Sequence, residues 1–139
     1  MNLLVEVNRS LDSVAVVEIW FNPKCSKCRM AKEAMDEAGV EYTLRRYLDE
    51  PPTAAELRAV LDQLGLEPWD ITRTGDPLAE EAGVASWPRE REAWLARLAE
   101  HPALIQRPIL VTPDGEAWVA RDPGTVQTAV EHSRAGGSG

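Results

Sequence analysis

Cys25 and Cys28 are the only cysteines of the chain, three residues apart in Phe21-Asn22-Pro23-Lys24-Cys25-Ser26-Lys27-Cys28-Arg29. Two thiols at this spacing can close a disulfide, supply half of a zinc site, or exchange electrons as a reactive pair. A structural disulfide across two intervening residues constrains little of the unfolded chain and so stabilises weakly. Zinc normally takes four ligands. Only His101 and His132 remain as histidine donors, both distant in sequence and without ligand spacing. Two incidental cysteines at a helix start are a fourth reading. Redox chemistry accounts best for the surroundings, because Lys24, Lys27 and Arg29 favour a thiolate through Coulomb attraction, modestly where solvent screens them.

Those cations stand out because the chain as a whole is acidic, with a formal net charge of −8. Such a balance argues against general binding to nucleic acid or a membrane surface. Its 139 residues correspond to one domain with a single core. No apolar run approaches the length of a membrane span. The first twenty residues are interrupted by Glu6, Arg9, Asp12 and Glu18, which does not read as a secretory signal. A reducing cytoplasm is therefore the expected compartment, and a monomer without a bound cofactor or metal the expected form.

The elements that must position the cysteines can be read from periodicity. Val14–Trp20 is a short apolar, β-branched run suited to a buried strand. Ser26–Ala38 repeats apolar residues at 3- and 4-residue spacing and ends at Gly39, a left-handed stop. Cys25 then falls at a helix N-terminus, where unpaired N–H groups and the helix dipole favour an anion, so its thiol pKa is expected to be depressed. Cys28 lies one turn further along. Residues 41–48 alternate as a second strand. Thr53-Ala54-Ala55-Glu56 is a capping box opening a helix closed by Gly65. Residues 67–100 read as broken helix, punctuated by Pro68, Pro77 and Pro88. Ile109–Thr112 and Glu116–Ala120 flank a Pro113-Asp114-Gly115 turn as a hairpin, and a last helix runs from about Pro123 to His132.

The resulting division is an N-terminal extension (1–13), a domain over 14–132 with a helical insertion at about 66–101, and a flexible glycine-rich tail (133–139). The order β-α-β, helices, β-β-α is that of an α/β, thioredoxin-like fold. Trp87, Trp94 and Trp118 read as packing residues. His101 ends a helix, and His132 sits near a helix C-terminus where its charge would suit the dipole.

"NPKCSKCR" resembles the Cys motif of the glutaredoxin-coupled arsenate reductase family. "RRYLDEPPTAAEL" and "HPALIQRPILVTPDGEAWVAR" are similar to two further segments of that family, so the likeness spans about Val17 to His132. It implies a central mixed sheet with a helical insertion, and reduction of arsenate to arsenite, the chemistry of arsenic resistance. It also implies Cys25 as nucleophile and Arg107, Arg121 and Arg73 as oxyanion ligands. Planar guanidinium forks can hold such an anion bidentately and offset its repulsion by a thiolate. A cis peptide before Pro108 is implied as well, although trans is the default for such bonds.

Two positions depart from the common pattern. Many members carry His where this chain has Phe21, and Phe can neither donate, accept nor titrate. Thiolate activation here is then expected to rest on Lys24, Lys27, Arg29 and the helix terminus. Many members carry Ser or Thr where this chain has Cys28, which could resolve a Cys25 adduct internally. The disulfide so formed would need an external reductant: glutathione with glutaredoxin, or thioredoxin. A Cys-x-x-Cys on this scaffold also resembles the Spx-type transcriptional regulators, which bind the RNA polymerase α-subunit. A general dithiol-disulfide oxidoreductase is the third reading. For an acidic face at Asp76, Glu80 and Glu81, solvation is the simpler account than a basic partner.

Overall fold

A computed structural model describes residues 16–138. The expected extension over residues 1–13, and the first two residues of the expected first strand, lie outside the described residues. Strand β1 (Val17–Trp20) leads through a short loop into helix α1 (Ser26–Ala38), then β2 (Tyr42–Arg45) and α2 (Ala54–Leu64). The insertion follows as a 3-10 turn at Pro68–Ile71, α3 (Pro77–Ala82), a second 3-10 turn at Val84–Ser86, and α4 (Arg91–Glu100). A third such turn, Pro102–Leu104, returns the chain to β3 (Ile109–Val111), β4 (Ala117–Val119) and α5 (Pro123–Ser138).

The strands form one sheet in the order β2-β1-β3-β4. β1 and β2 are parallel, and the β1–β3 and β3–β4 pairs are antiparallel. Period-2 alternation sends neighbouring side chains to opposite faces. Val17, Ile19, Phe21 and Leu110 pack with Ala31, Met35, Val126 and Val130 of α1 and α5. Trp20 and Ile109 face the other way, toward Leu57 and Leu61 of α2 and Leu95 and Leu98 of α4. The observed order and layering are those of the expected thioredoxin-like fold with a helical insertion.

Local chemistry explains most boundaries. Gly39 and Gly65 close α1 and α2 at φ 71° and 70°, the left-handed conformation that only glycine adopts without strain. Thr53 and Glu56 complete the capping box in both directions. Pro68 and Pro77 each sit at the start of a helical segment, where the missing N–H costs nothing. Within the insertion, Trp94 meets Trp69 and Trp87 edge to face, with centroids 5.5 and 5.2 Å apart.

Three expectations need correction. The second strand spans only Tyr42–Arg45, because the Arg46 carbonyl accepts N–H bonds from both Asp49 and Glu50 and closes a turn. That turn buries Tyr47 to 1% exposure and leaves Leu48 outside. Helix α5 continues to Ser138, so residues 133–138, expected as a flexible tail, are helical; Ser133 donates back to the Ala129 carbonyl, and no proline interrupts the ladder. His132 is consequently interior to the helix. Its Nε2 lies 2.8 Å from the Asp114 carboxylate of the hairpin turn, and its ring meets Trp118 edge on. His101 ends α4 without a capping side chain.

The Arg45 guanidinium ties the end of β2 to α2, meeting the two Glu56 carboxylate oxygens at 2.6 and 3.1 Å. With the Thr53 N–H, this contact holds the Glu56 pKa down to about 2, against an ordinary value of 4.5. A carboxylate whose pKa is depressed by folding stabilises fully above its unfolded value and loses that contribution as pH falls through the folded one. Glu56→Ala is therefore expected to cost about 1 kcal/mol at neutral pH, measured by urea denaturation. The charge-dependent part of the gap should close between about pH 4.5 and pH 2.

Candidate active site

The site is assembled where β1 ends. The Phe21 N–H bonds to the Arg45 carbonyl at 2.8 Å, continuing the strand pairing to the edge of the loop. The Asn22 side chain then accepts the Lys24 N–H at 3.0 Å, and the Asn22 carbonyl accepts the Cys25 N–H at 2.9 Å. This turn delivers Cys25 to the N-cap position of α1. The first turn of α1 carries no acidic residue, so nothing there opposes the positive helix terminus.

Burial raises the Cys25 pKa, and four donors outweigh it: the Cys28 N–H, the Arg107 guanidinium, the Cys28 thiol and the Lys27 N–H. The balance lowers it to about 7. The Cys25 side chain makes no capping hydrogen bond, yet the Lys27 and Cys28 N–H groups are near enough to favour the ionised sulfur, the positions on which an N-cap oxygen would draw. Cys28, one turn on, is fully buried. Burial first, and the neighbouring Cys25 charge next, push its thiol up to about 12. Its sulfur is 4.0 Å from the Trp20 carbonyl.

The cations expected to bias the thiolate act differently. Lys24 is exposed, the Arg29 guanidinium donates to the Pro23 carbonyl at 2.9 Å, and Lys27 contributes its backbone N–H. None of their side chains is among the groups that most strongly set the Cys25 pKa. A flexible, solvated ammonium is a weaker neighbour than a fixed backbone dipole or a half-buried guanidinium. Phe21, in place of the common His, is buried in the α1–α5 core.

The arginines converge from three parts of the chain. The Arg107–Pro108 peptide is cis, and the Arg107 side chain lies beside Cys25. Arg121 follows β4, and its guanidinium donates to the Arg107 carbonyl at 2.5 Å. Arg73 is held by the insertion. Thr72 and Ile105 form an isolated antiparallel bridge, and the Arg73 N–H bonds to the Leu104 carbonyl at 2.7 Å. Buried Thr72 accepts the Trp94 indole N–H at 2.9 Å and donates to the Pro68 carbonyl at 2.8 Å. The Arg73 Nε is 3.5 Å from Asp76, the N-cap of α3. That carboxylate is lowered by the Leu78 N–H foremost, and also by the charges of Arg73 and Arg107. Asp76 thus turns toward the arginines, while Glu80 and Glu81 are exposed. The Arg107 Nε is buried without a hydrogen-bond partner, an unused donor beside Cys25; the Arg73 Nε is paired by charge with Asp76 but outside hydrogen-bond geometry.

Two neighbours of the site are not legible as such in the sequence: Asp76 reads as part of a solvated face, and Tyr47 as one residue of an alternating strand. Tyr47 has a signal in its place within "RRYLDEPPTAAEL", a segment shared with the resembled family, and Asp76 has none in the segments that carry the likeness; each is brought in by a turn rather than by a periodic element.

Alkylation of Cys25 by iodoacetamide is expected to titrate with a midpoint near pH 7, the rate rising with pH and levelling once the thiolate dominates. Arg107→Leu should move that midpoint upward. Lys24→Ala and Arg29→Ala should move it far less. Rates measured across pH on the three variants check the ranking.

Residues 20–129 match the ArsC family. Over 117 residues the chain is 53% identical to an uncharacterized protein in the glnII region of Streptomyces viridochromogenes, covering 82% of this chain and 98% of that one. An arsenate reductase of Neisseria meningitidis is 37% identical over 106 residues, 76% of this chain and 90% of its own. The solved arsenate reductase from Vibrio cholerae superposes with a TM-score of 0.73 at 33% identity, covering 84% of this chain and 97% of the other. With most of its length matched, and with the Cys motif and the cis Arg107–Pro108 segment meeting at one site, the chain belongs to the ArsC family.

Proposed function

We propose that this protein reduces arsenate to arsenite through a covalent adduct on Cys25. The observation that carries the reading is the meeting of a thiol with a pKa of about 7 and the guanidinium of Arg107, whose Nε is buried and unpartnered. A thiolate approaching a dianionic tetrahedral oxyanion meets charge repulsion. Fixed guanidinium groups offset it and stabilise charge in the adduct. Arg121 and Arg73 complete the set of cations, and the α1 N-terminus adds N–H donors.

The sequence of steps follows from the two sulfurs. The Cys25 thiolate attacks arsenic(V) and an oxygen departs as water after protonation, leaving a sulfur–arsenic bond. Once Cys25 is bound, the thiolate charge that helps to hold the Cys28 proton is gone. Cys28 then loses its proton and attacks the Cys25 sulfur. The sulfur–sulfur bond forms as the sulfur–arsenic bond breaks, its electron pair stays with arsenic, and arsenic(III) leaves as arsenite. The Cys25–Cys28 disulfide takes up the oxidation. Cys28 is fully buried while Cys25 is partly exposed, so an external thiol attacks Cys25, by the usual exchange chemistry. A thioredoxin- or glutaredoxin-like protein, or glutathione, supplies the two electrons, in a reducing compartment such as the cytoplasm. No resident cofactor is needed.

The test is arsenate-dependent NADPH consumption coupled to thioredoxin or to glutathione and glutaredoxin. Cys25→Ser should abolish turnover in both systems, and Arg107→Leu should lower kcat/KM for arsenate by roughly 100-fold or more. Cys28→Ser should abolish turnover with thioredoxin alone and retain part of it with glutathione. Insulin-disulfide reduction that needs no arsenate and is indifferent to Arg107→Leu would assign a general dithiol oxidoreductase instead. Capture of the RNA polymerase α-subunit without arsenate turnover would assign a regulator.

A further inference from the structure

Among the described residues, the buried side-chain polar atoms without a hydrogen-bond partner are Tyr47 Oη, Arg73 Nε, Gln106 Oε1 and Arg107 Nε. Native interiors leave few such atoms unmatched, so each calls for a physical account. Two of them belong to arginines already assigned to the oxyanion. Tyr47 lies near Arg107 and the two sulfurs. The charges of Arg107, Cys28 and Cys25 all act on its hydroxyl, and the Asn22 side chain is close enough to bear on it electrostatically but does not meet it in hydrogen-bond geometry.

The Tyr47 ring needs no special account. It packs with Trp20, Leu57 and Ile109 in the core on the α2 face of the sheet, and the residue is 1% exposed. Phe would fill the same space without burying an unmatched hydroxyl, which by itself costs stability. Packing therefore explains the ring and leaves the hydroxyl unexplained.

We propose that Tyr47 is a further substrate-contacting residue, its hydroxyl donating a hydrogen bond to an oxygen of the tetrahedral anion held against Cys25. Burial raises the phenol pKa above its ordinary value, so the group keeps its proton and acts as a donor throughout the neutral range. It supplements the guanidinium groups without adding charge, and it reaches the anion from the β2 side of the sheet, where no arginine of the set originates. No proton or electron is transferred. The role is recognition, strongest for an anion of high charge density. This assignment rests on the oxyanion reading of the site.

Tyr47→Phe tests it, with arsenate and, separately, inorganic phosphate as probes. The main readout is the anion concentration that half-protects Cys25 from iodoacetamide at pH 7, beside the thermal midpoint and kcat/KM for arsenate. The expected result is an unchanged or higher thermal midpoint, with half-protection shifted upward by roughly 10- to 100-fold and kcat/KM falling by a similar factor. Protection equal to wild type overturns the proposal, whatever the turnover. A lowered midpoint with unchanged protection assigns the hydroxyl to structure alone, which also overturns it. Should wild type bind arsenate without reducing it, the reductase reading fails and the protection shift still decides Tyr47. Should neither anion protect wild-type Cys25, both readings fail.

Discussion

A sulfur anion that must be partly sheltered from water is the constraint around which this structure is arranged. Desolvation works against the Cys25 thiolate, and only donors fixed in space can reverse its effect. The donors that do so come from different levels of the structure. Two are backbone N–H groups of α1, present because a helix leaves its first N–H groups unpaired, and a third is the Cys28 thiol one turn along. The fourth is the guanidinium of Arg107, far away in sequence and brought in by the antiparallel pairing of β3 with β1. The same groups that make the thiolate affordable also make the surrounding space attractive to an anion.

Cys25 and Cys28 show how far environment can separate two identical side chains. One turn of helix carries the second sulfur from the cap into the core, and their pKa values move in opposite directions, to about 7 and about 12. The proposed ordering into nucleophile and resolver rests on this difference, since Cys25 has the lower pKa and is the more exposed of the two. The coupling is useful in sequence as well as in space. Neutralising the first sulfur removes part of what restrains the second.

The insertion contributes through anchoring. Trp94, Thr72 and Pro68 form a buried hydrogen-bonded chain, and the Thr72–Ile105 bridge ties it to the segment before β3. Arg73 and Arg107 are thereby held on two strands of backbone that are stitched to each other. Asp76 neutralises part of this positive charge, which tempers the repulsion between neighbouring guanidinium groups.

Much of this was legible in the residues alone. The span of α1, the capping box at Thr53, the glycine stops at Gly39 and Gly65, the hairpin turn and the order of elements are local consequences of spacing and side-chain type. The likeness of "NPKCSKCR" and "LIQRPI" to a known family is enough to place Cys25 and Arg107 in one site. What lay beyond the sequence depends on approach in three dimensions. Lys24 and Arg29 look like the natural partners of the cysteines because they are adjacent in the chain, yet distance through space and exposure decide that they matter less than a backbone N–H. Tyr47 reads as one more residue of an alternating strand until the turn at Arg46 drives it inward beside both sulfurs. The sequence by itself determined the cysteine pair, the helix that presents it and the order of elements that carries it, because those rest on residue identity, local propensity and period. Only the tertiary structure decided which cations and hydroxyls face Cys25, because electrostatic influence depends on separation and burial, and neither is a property of sequence distance.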